Sequence, residues 1–135
     1  MSRLLTACAL LLFAGAALAV KPQKELQPTL LNYAATLRWG GFEQGLAFID
    51  PDVLKQHPLT RLELDRYRQV RVSYYHDQGV QNLSPTEIAQ VVEIGVVNEH
   101  TQTERAVVDR QRWRWDKQAK RWWLMTGLPD ITHED

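Results

Sequence analysis

IAQVVEIGVVN, residues 88–98, places apolar side chains on both parities of an extended segment. Ile88, Val92, Ile94 and Val96 fall on one side, and Ala89, Val91 and Val97 on the other. A strand that is apolar on both faces belongs in the middle of a sheet and is covered twice. Helices can supply one cover. The second cover calls for another layer, and a two-fold partner subunit is the economical source.

The neighbouring segments extend the sheet. Val70, Val72 and Tyr74 alternate with Arg71, Ser73 and Tyr75 in a first strand starting after Tyr67, until Asp77-Gln78-Gly79 breaks the run. The second strand spans about 86–97, the third 103–115 and the fourth 121–126, and Gly127-Leu128-Pro129 ends the sheet. The last two strands hold four of the five tryptophans. With Lys117 to Lys120 as the loop, Asp116 faces Arg121, Trp115 faces Trp122 and Trp113 faces Leu124. The opposite side sets Arg114 against Trp123, a geometry for cation–π contact, and a one-residue slip would reverse these faces.

Upstream the period changes to that of a helix. Residues 21–27 read as a polar lead-in. Pro28 suits a first helical turn, and Leu30, Tyr33, Ala34 and Leu37 follow at i, i+3, i+4 and i+7 before Gly40-Gly41 ends the helix. Residues 42–49 read as a second, shorter helix. Asp50-Pro51 is an N-cap followed by proline at the first helical position. Thr60-Arg61-Leu62-Glu63 fits a capping box, while Leu62 to Asp65 also alternates like a strand.

MSRLLTACALLLFAGAALA, residues 1–19, reads as an export signal: Arg3 supplies positive charge, an apolar run follows, and Ala17-Leu18-Ala19 suits a signal peptidase. The expected location is periplasmic or secreted. Two alternatives are an uncleaved anchor, about 25 Å long against a roughly 30 Å hydrocarbon core, and lipidation at Cys8. Removing 19 of 135 residues leaves 116, at 20–135, enough for one domain with its own core. The only cysteine, Cys8, leaves with the signal, so no disulfide is available and packing must stabilise the fold. Without Arg3, 15 basic residues face 16 acidic ones, a balance that argues against nucleic-acid or anionic-membrane binding.

Helices followed by a long antiparallel meander in this length resemble the nuclear transport factor two-like superfamily, which includes ketosteroid isomerases and SnoaL-type cyclases. The resemblance rests on NYAATLRWGGFEQGLAFID (32–50), IAQVVEIGVVN (88–98) and RWRWDKQAKRWWLMTGLP (112–129). It implies an α+β fold: N-terminal helices packed on a curved antiparallel sheet of four or more strands. Such a sheet forms a cone that takes ligands, and dimerisation through the sheet is common. It assigns no functional residue to this chain.

The residues supply candidates of their own. Glu93 interrupts the central strand; buried, it would serve as a general base or acid, whereas a cross-strand pair with Arg110 is the structural alternative. Asp109 shares its parity with Trp113 and Trp115, so it lines either a cavity or a salt-bridged rim. His57, His76, His100 and His133 form no metal-ligand pattern, and no metal or cofactor motif appears. His76-Asp77 is either an acid–base pair or a solvated turn. Ser73 and Ser84 lack a nucleophile elbow. Tryptophans interleaved with Arg110, Arg112 and Arg114 suggest sugar stacking, yet strand alternation segregates the two sets.

These observations point to an exported α+β homodimer that binds a small apolar ligand or an envelope partner without catalysis. Tyr33, Leu37, Trp39, Trp113 and Trp115 would line the pocket, with Glu93 or Asp109 as polar anchor. The alternatives are an isomerase- or dehydratase-type enzyme using one of those carboxylates, and a structural envelope protein with a filled cone.

Overall fold

The computed structural model describes residues 21–132, so the leader expected over 1–19, with Cys8, and His133 lie outside the described residues. The chain runs through α1 (Pro22–Ala35), a π turn (Thr36–Gly40), a 3-10 turn (Glu43–Phe48), α2 (Pro51–Gln56) and α3 (Arg61–Arg68). The strands are β1 (Val70–Ser84), β2 (Glu87–Asn98), β3 (Glu104–Asp116) and β4 (Arg121–Leu124). They pair antiparallel in sequence order, giving an open four-stranded sheet preceded by helices, the α+β class that the periodicities predict.

The first helix begins earlier than expected. Pro22, not Pro28, occupies its first turn, and Pro28 sits inside it. An interior proline removes the amide that would reach the carbonyl four residues back, so local preference disfavours this helix. Tertiary contacts override that preference: Trp122 Nε1 on β4 donates to the Pro22 carbonyl at 2.8 Å, and Leu26, Leu30 and Tyr33 are buried. At the next junctions the caps act as read. Asp50 Oδ1 accepts from the Asp52 and Val53 amides at 2.8 and 3.3 Å, opening α2. Thr60 Oγ1 accepts from the Glu63 amide at 3.2 Å, so the capping reading of this segment prevails over the strand.

The first strand is longer than expected. Asp77-Gln78-Gly79 does not end β1; it forms one of three register shifts within a 15-residue strand that continues to Ser84. Asp77 Oδ1 takes the Gly79 amide at 2.7 Å, and Gly79 has a φ of 129°. Turn-forming residues here make a bulge because β2 presents an unbroken row of backbone partners. Tyr67 lies in α3, and the strand begins at Val70.

The closing hairpin has the expected register: Trp113 opposite Leu124, Arg114 opposite Trp123, Trp115 opposite Trp122 and Asp116 opposite Arg121. The cation–π partner is different. Arg121, not Arg114, lies over Trp123, with its guanidinium carbon 3.5 Å from the ring centroid. Arg114 instead reaches Asp50 Oδ2 at 3.2 Å, a stronger attraction because that carboxylate is buried.

The helices cover the face of the sheet that carries Ile88, Val92, Ile94, Trp113 and Trp122. The other face is open in the single chain. Gly95 lies on it beneath the Tyr74 ring, and a Cβ there would overlap the ring and Ser73 Oγ. Gly95→Ala should therefore lower stability by about 1–3 kcal/mol, because the ring must leave its seat. Urea unfolding followed by tryptophan fluorescence would measure this, and an unchanged midpoint would show that Tyr74 moves freely.

Candidate functional site

Strand alternation on β3 sends Val107, Asp109, Gln111, Trp113 and Trp115 to the helix-covered face. Apolar members of that row need only contact. The polar ones need partners inside the protein, because water is excluded. Gln111 provides most of them. Its Nε2 donates to Asp109 Oδ2 and to the Tyr75 hydroxyl, both at 2.9 Å, and its Oε1 accepts from Trp113 Nε1 at 2.9 Å.

Asp109 is 8% exposed and pairs with no cation among the described residues. Burial pushes its carboxyl up to about 6, and the hydrogen bond from Gln111 opposes the rise. The Tyr33 hydroxyl is buried and has no hydrogen-bond partner. Burial first, and then the field of Asp109, raise its pKa well above the ordinary phenol value. Tyr67 and Tyr75 are raised for the same leading reason. The interior thus contains a carboxylic acid, an unpaired phenol and an amide that links them to the core. Proton-transfer chemistry uses such groups when a substrate can reach them.

Access is what the arrangement lacks. Trp113 is 0% exposed, and its ring takes Tyr33 edge-on at 5.2 Å and Phe48 at 6.4 Å. Tyr33 also meets Phe48 at 5.3 Å. None of the main grooves is lined by Asp109, Gln111, Tyr33, Trp113 or Trp115. The largest, about 640 Å³, runs between the His57–Leu59 segment, Tyr67 of α3 and the Gly127–Thr132 tail.

The other candidates are spread over the surface. Leu37 is buried beside Tyr33, whereas Trp39 is 80% exposed. Trp39 stands two positions past Leu37 in the π turn, on its opposite side, so the turn that buries one directs the other outward. Glu93 lies on the open face, opposite His76 and Val108, with the Tyr74 hydroxyl 3.5 Å from its Oε1. The expected Glu93–Arg110 pair does not form, because Arg110 sits across from Val91. His76 stacks on Tyr74 at 4.7 Å rather than pairing with Asp77. Ser73 donates to Glu104 at 3.1 Å. Asp109 and Glu93 therefore occupy opposite faces of the sheet.

Sequence reasoning missed Gln111 and Gln90. The signal was present in both cases: each is a polar residue on the apolar parity of its strand. No described group of histidine, cysteine and carboxylate side chains could hold a metal ion, and no helix among the described residues is long and apolar enough to cross a membrane. The chain matches no protein-family model, no curated protein and no solved structure.

Asp109 should make stability depend on pH. Its folded value of about 6 exceeds the ordinary 3.8, so unfolding releases a proton between them. The group is neutral in both states below about pH 4; as pH rises the unfolded carboxyl ionises first, and folding loses roughly 2–3 kcal/mol by pH 7. Asp109→Asn keeps an acceptor for Gln111 and should remove that share of the decline. Urea midpoints at acid and neutral pH for both proteins test it; parallel declines would show that Asp109 ionises normally in the fold.

Proposed function

We propose that this protein is an exported, non-catalytic binding module with a nuclear transport factor two-like cone closed by its own side chains, which meets its partner at the surface. The observation that carries this reading is the complete burial of Trp113 under Tyr33 and Phe48. A cone that admits an apolar ligand needs open volume at that position, and an enzyme needs it beside Asp109. Here aromatic rings fill it. The reading keeps the expected role of a binding protein and relocates recognition from the interior to the exterior.

The open face of the sheet supports a dimer. Ala89 and Val91 of β2 and Val108 of β3, each partly exposed, form an apolar strip there, while Val97 is already buried. Charge divides along the same face: Glu93 and Glu104 lie toward one end, and Arg110 and Arg112 toward the other. A two-fold axis lying across the strands would set the acidic half of one copy over the basic half of its mate, so the face is self-complementary.

Two experiments test these proposals. Indole, which matches the side chain that plugs the cone, should not bind inside the wild-type protein. Trp113→Ala should lose about 3–5 kcal/mol of stability and gain an indole site detectable by NMR shifts at Tyr33. Indole entering the wild-type interior would overturn the closed-cone reading. Sedimentation equilibrium of the wild type should give the mass of two chains, and Val91→Lys should give one. A monomeric wild type would remove the dimer.

A further inference from the structure

We propose that Trp39 and the groove beside it form a glycan-binding site, in which a sugar ring stacks on the exposed indole and its hydroxyls reach Gln90. The proposal rests on the surface-binding reading and names the ligand class for it.

Trp39 lies in the π turn that ends the first helix, closed by the Gly41 amide donating to the Thr36 carbonyl at 3.0 Å. Such wide turns recur at functional sites. Gly41 follows with a φ of 97°, a conformation that glycine adopts without strain. Arg38 lies over the indole, 5.1 Å from the ring centroid, and the ring as a whole remains 80% exposed. An isolated indole this exposed loses the burial that normally makes tryptophan favourable in a fold. Leu31, 59% exposed, continues the apolar ridge two turns back along the helix.

A groove of about 310 Å³ runs below this ridge, between α1 and the first two strands. Gln90 lies in its wall and is 4% exposed, and its side-chain amide makes no hydrogen bond among the described residues. Its amide atoms still reach solvent at the groove wall, so two donors and an acceptor are free to meet a ligand there. Asp77 lines the same groove; its Oδ1 holds the Gly79 amide, and its Oδ2 has no hydrogen bond from the described residues. Arg38 and Trp39 also line a second groove of about 440 Å³ on the other flank. Glu43, Gln44, Arg71 and Glu99 supply polar groups there.

This set of groups selects the ligand. A purely apolar molecule would leave the Gln90 amide unmatched. A bilayer surface gains little from charge here, because Asp77, Glu43 and Glu99 in these grooves are balanced by Arg38, Arg68 and Arg71, leaving no basic excess to draw the site to anionic lipid. A saccharide meets both demands. Its C–H face packs on an aromatic ring, and its hydroxyls both donate and accept, as an amide and a carboxylate require. Two grooves meeting at one indole suit a chain of several rings rather than a single sugar.

Calorimetric titration of the purified protein with chitotetraose, and separately with maltotetraose, tests the proposal. Saturable binding of at least one, with Kd below about 1 mM, is expected. Trp39→Ala, a change at an exposed position, should weaken it by roughly tenfold or more, and Trp39→Phe should restore part of the loss. Gln90→Ala should weaken it as well, with circular dichroism confirming the fold. The indole emission of Trp39 should shift to the blue on binding. No saturable heat from either sugar, or binding unchanged by Trp39→Ala, would overturn the proposal. So would Trp39-dependent binding to phosphatidylcholine vesicles in the absence of sugar binding. None of these failures touches the closed cone, which the indole experiment judges separately.

Discussion

The rest of the structure depends on the seat of the Trp113 indole. Its faces and edges are enclosed by Tyr33 from the first helix and Phe48 from the 3-10 turn, and its Nε1 is held by Gln111. One side chain therefore ties β3, the first helix and the connecting segment together. A chain with a single cysteine can form no internal disulfide, and that packing stands where one might otherwise act. Trp122 completes the arrangement from β4 by reaching back to the Pro22 carbonyl, so the last strand anchors the start of the first helix.

Closing the interior this tightly has an electrostatic consequence. Asp109 shares the buried row with the tryptophans and has one amide to replace the water it loses. Its raised pKa and the unpaired Tyr33 hydroxyl are two signs of the same burial. These are groups an enzyme would use, and neither lines any of the main grooves among the described residues. Gln90, the cross-strand neighbour of Gln111, does line a groove, together with Asp77 and Trp39. The groove beside Trp39 thus adjoins the buried polar row through Tyr75 and Gln90.

Much of the fold was legible in the residues because period and parity are local properties. The hairpin register follows from where Lys117 to Lys120 must turn, and it matches residue for residue. The caps at Asp50 and Thr60 are equally local. Two errors arose where a local signal met a distant partner. Asp77-Gln78-Gly79 has the composition of a turn, but pairing with β2 converts it into a bulge. Pro28 looks like a helix start, but the contacts of Leu26 and Trp122 extend the helix past it.

By itself the sequence determined the class of fold, the order and facing of the strands, and the placement of Asp109 among buried tryptophans, since each follows from spacing along one segment. Only the tertiary structure decided that the interior is closed, that Arg121 rather than Arg114 covers Trp123, and that Glu93 and Asp109 lie on opposite faces. It alone set Trp39 and Gln90 along one groove. Those outcomes depend on distances between segments tens of residues apart. The volumes and crossing of packed elements set such distances, and no periodicity within one segment encodes them.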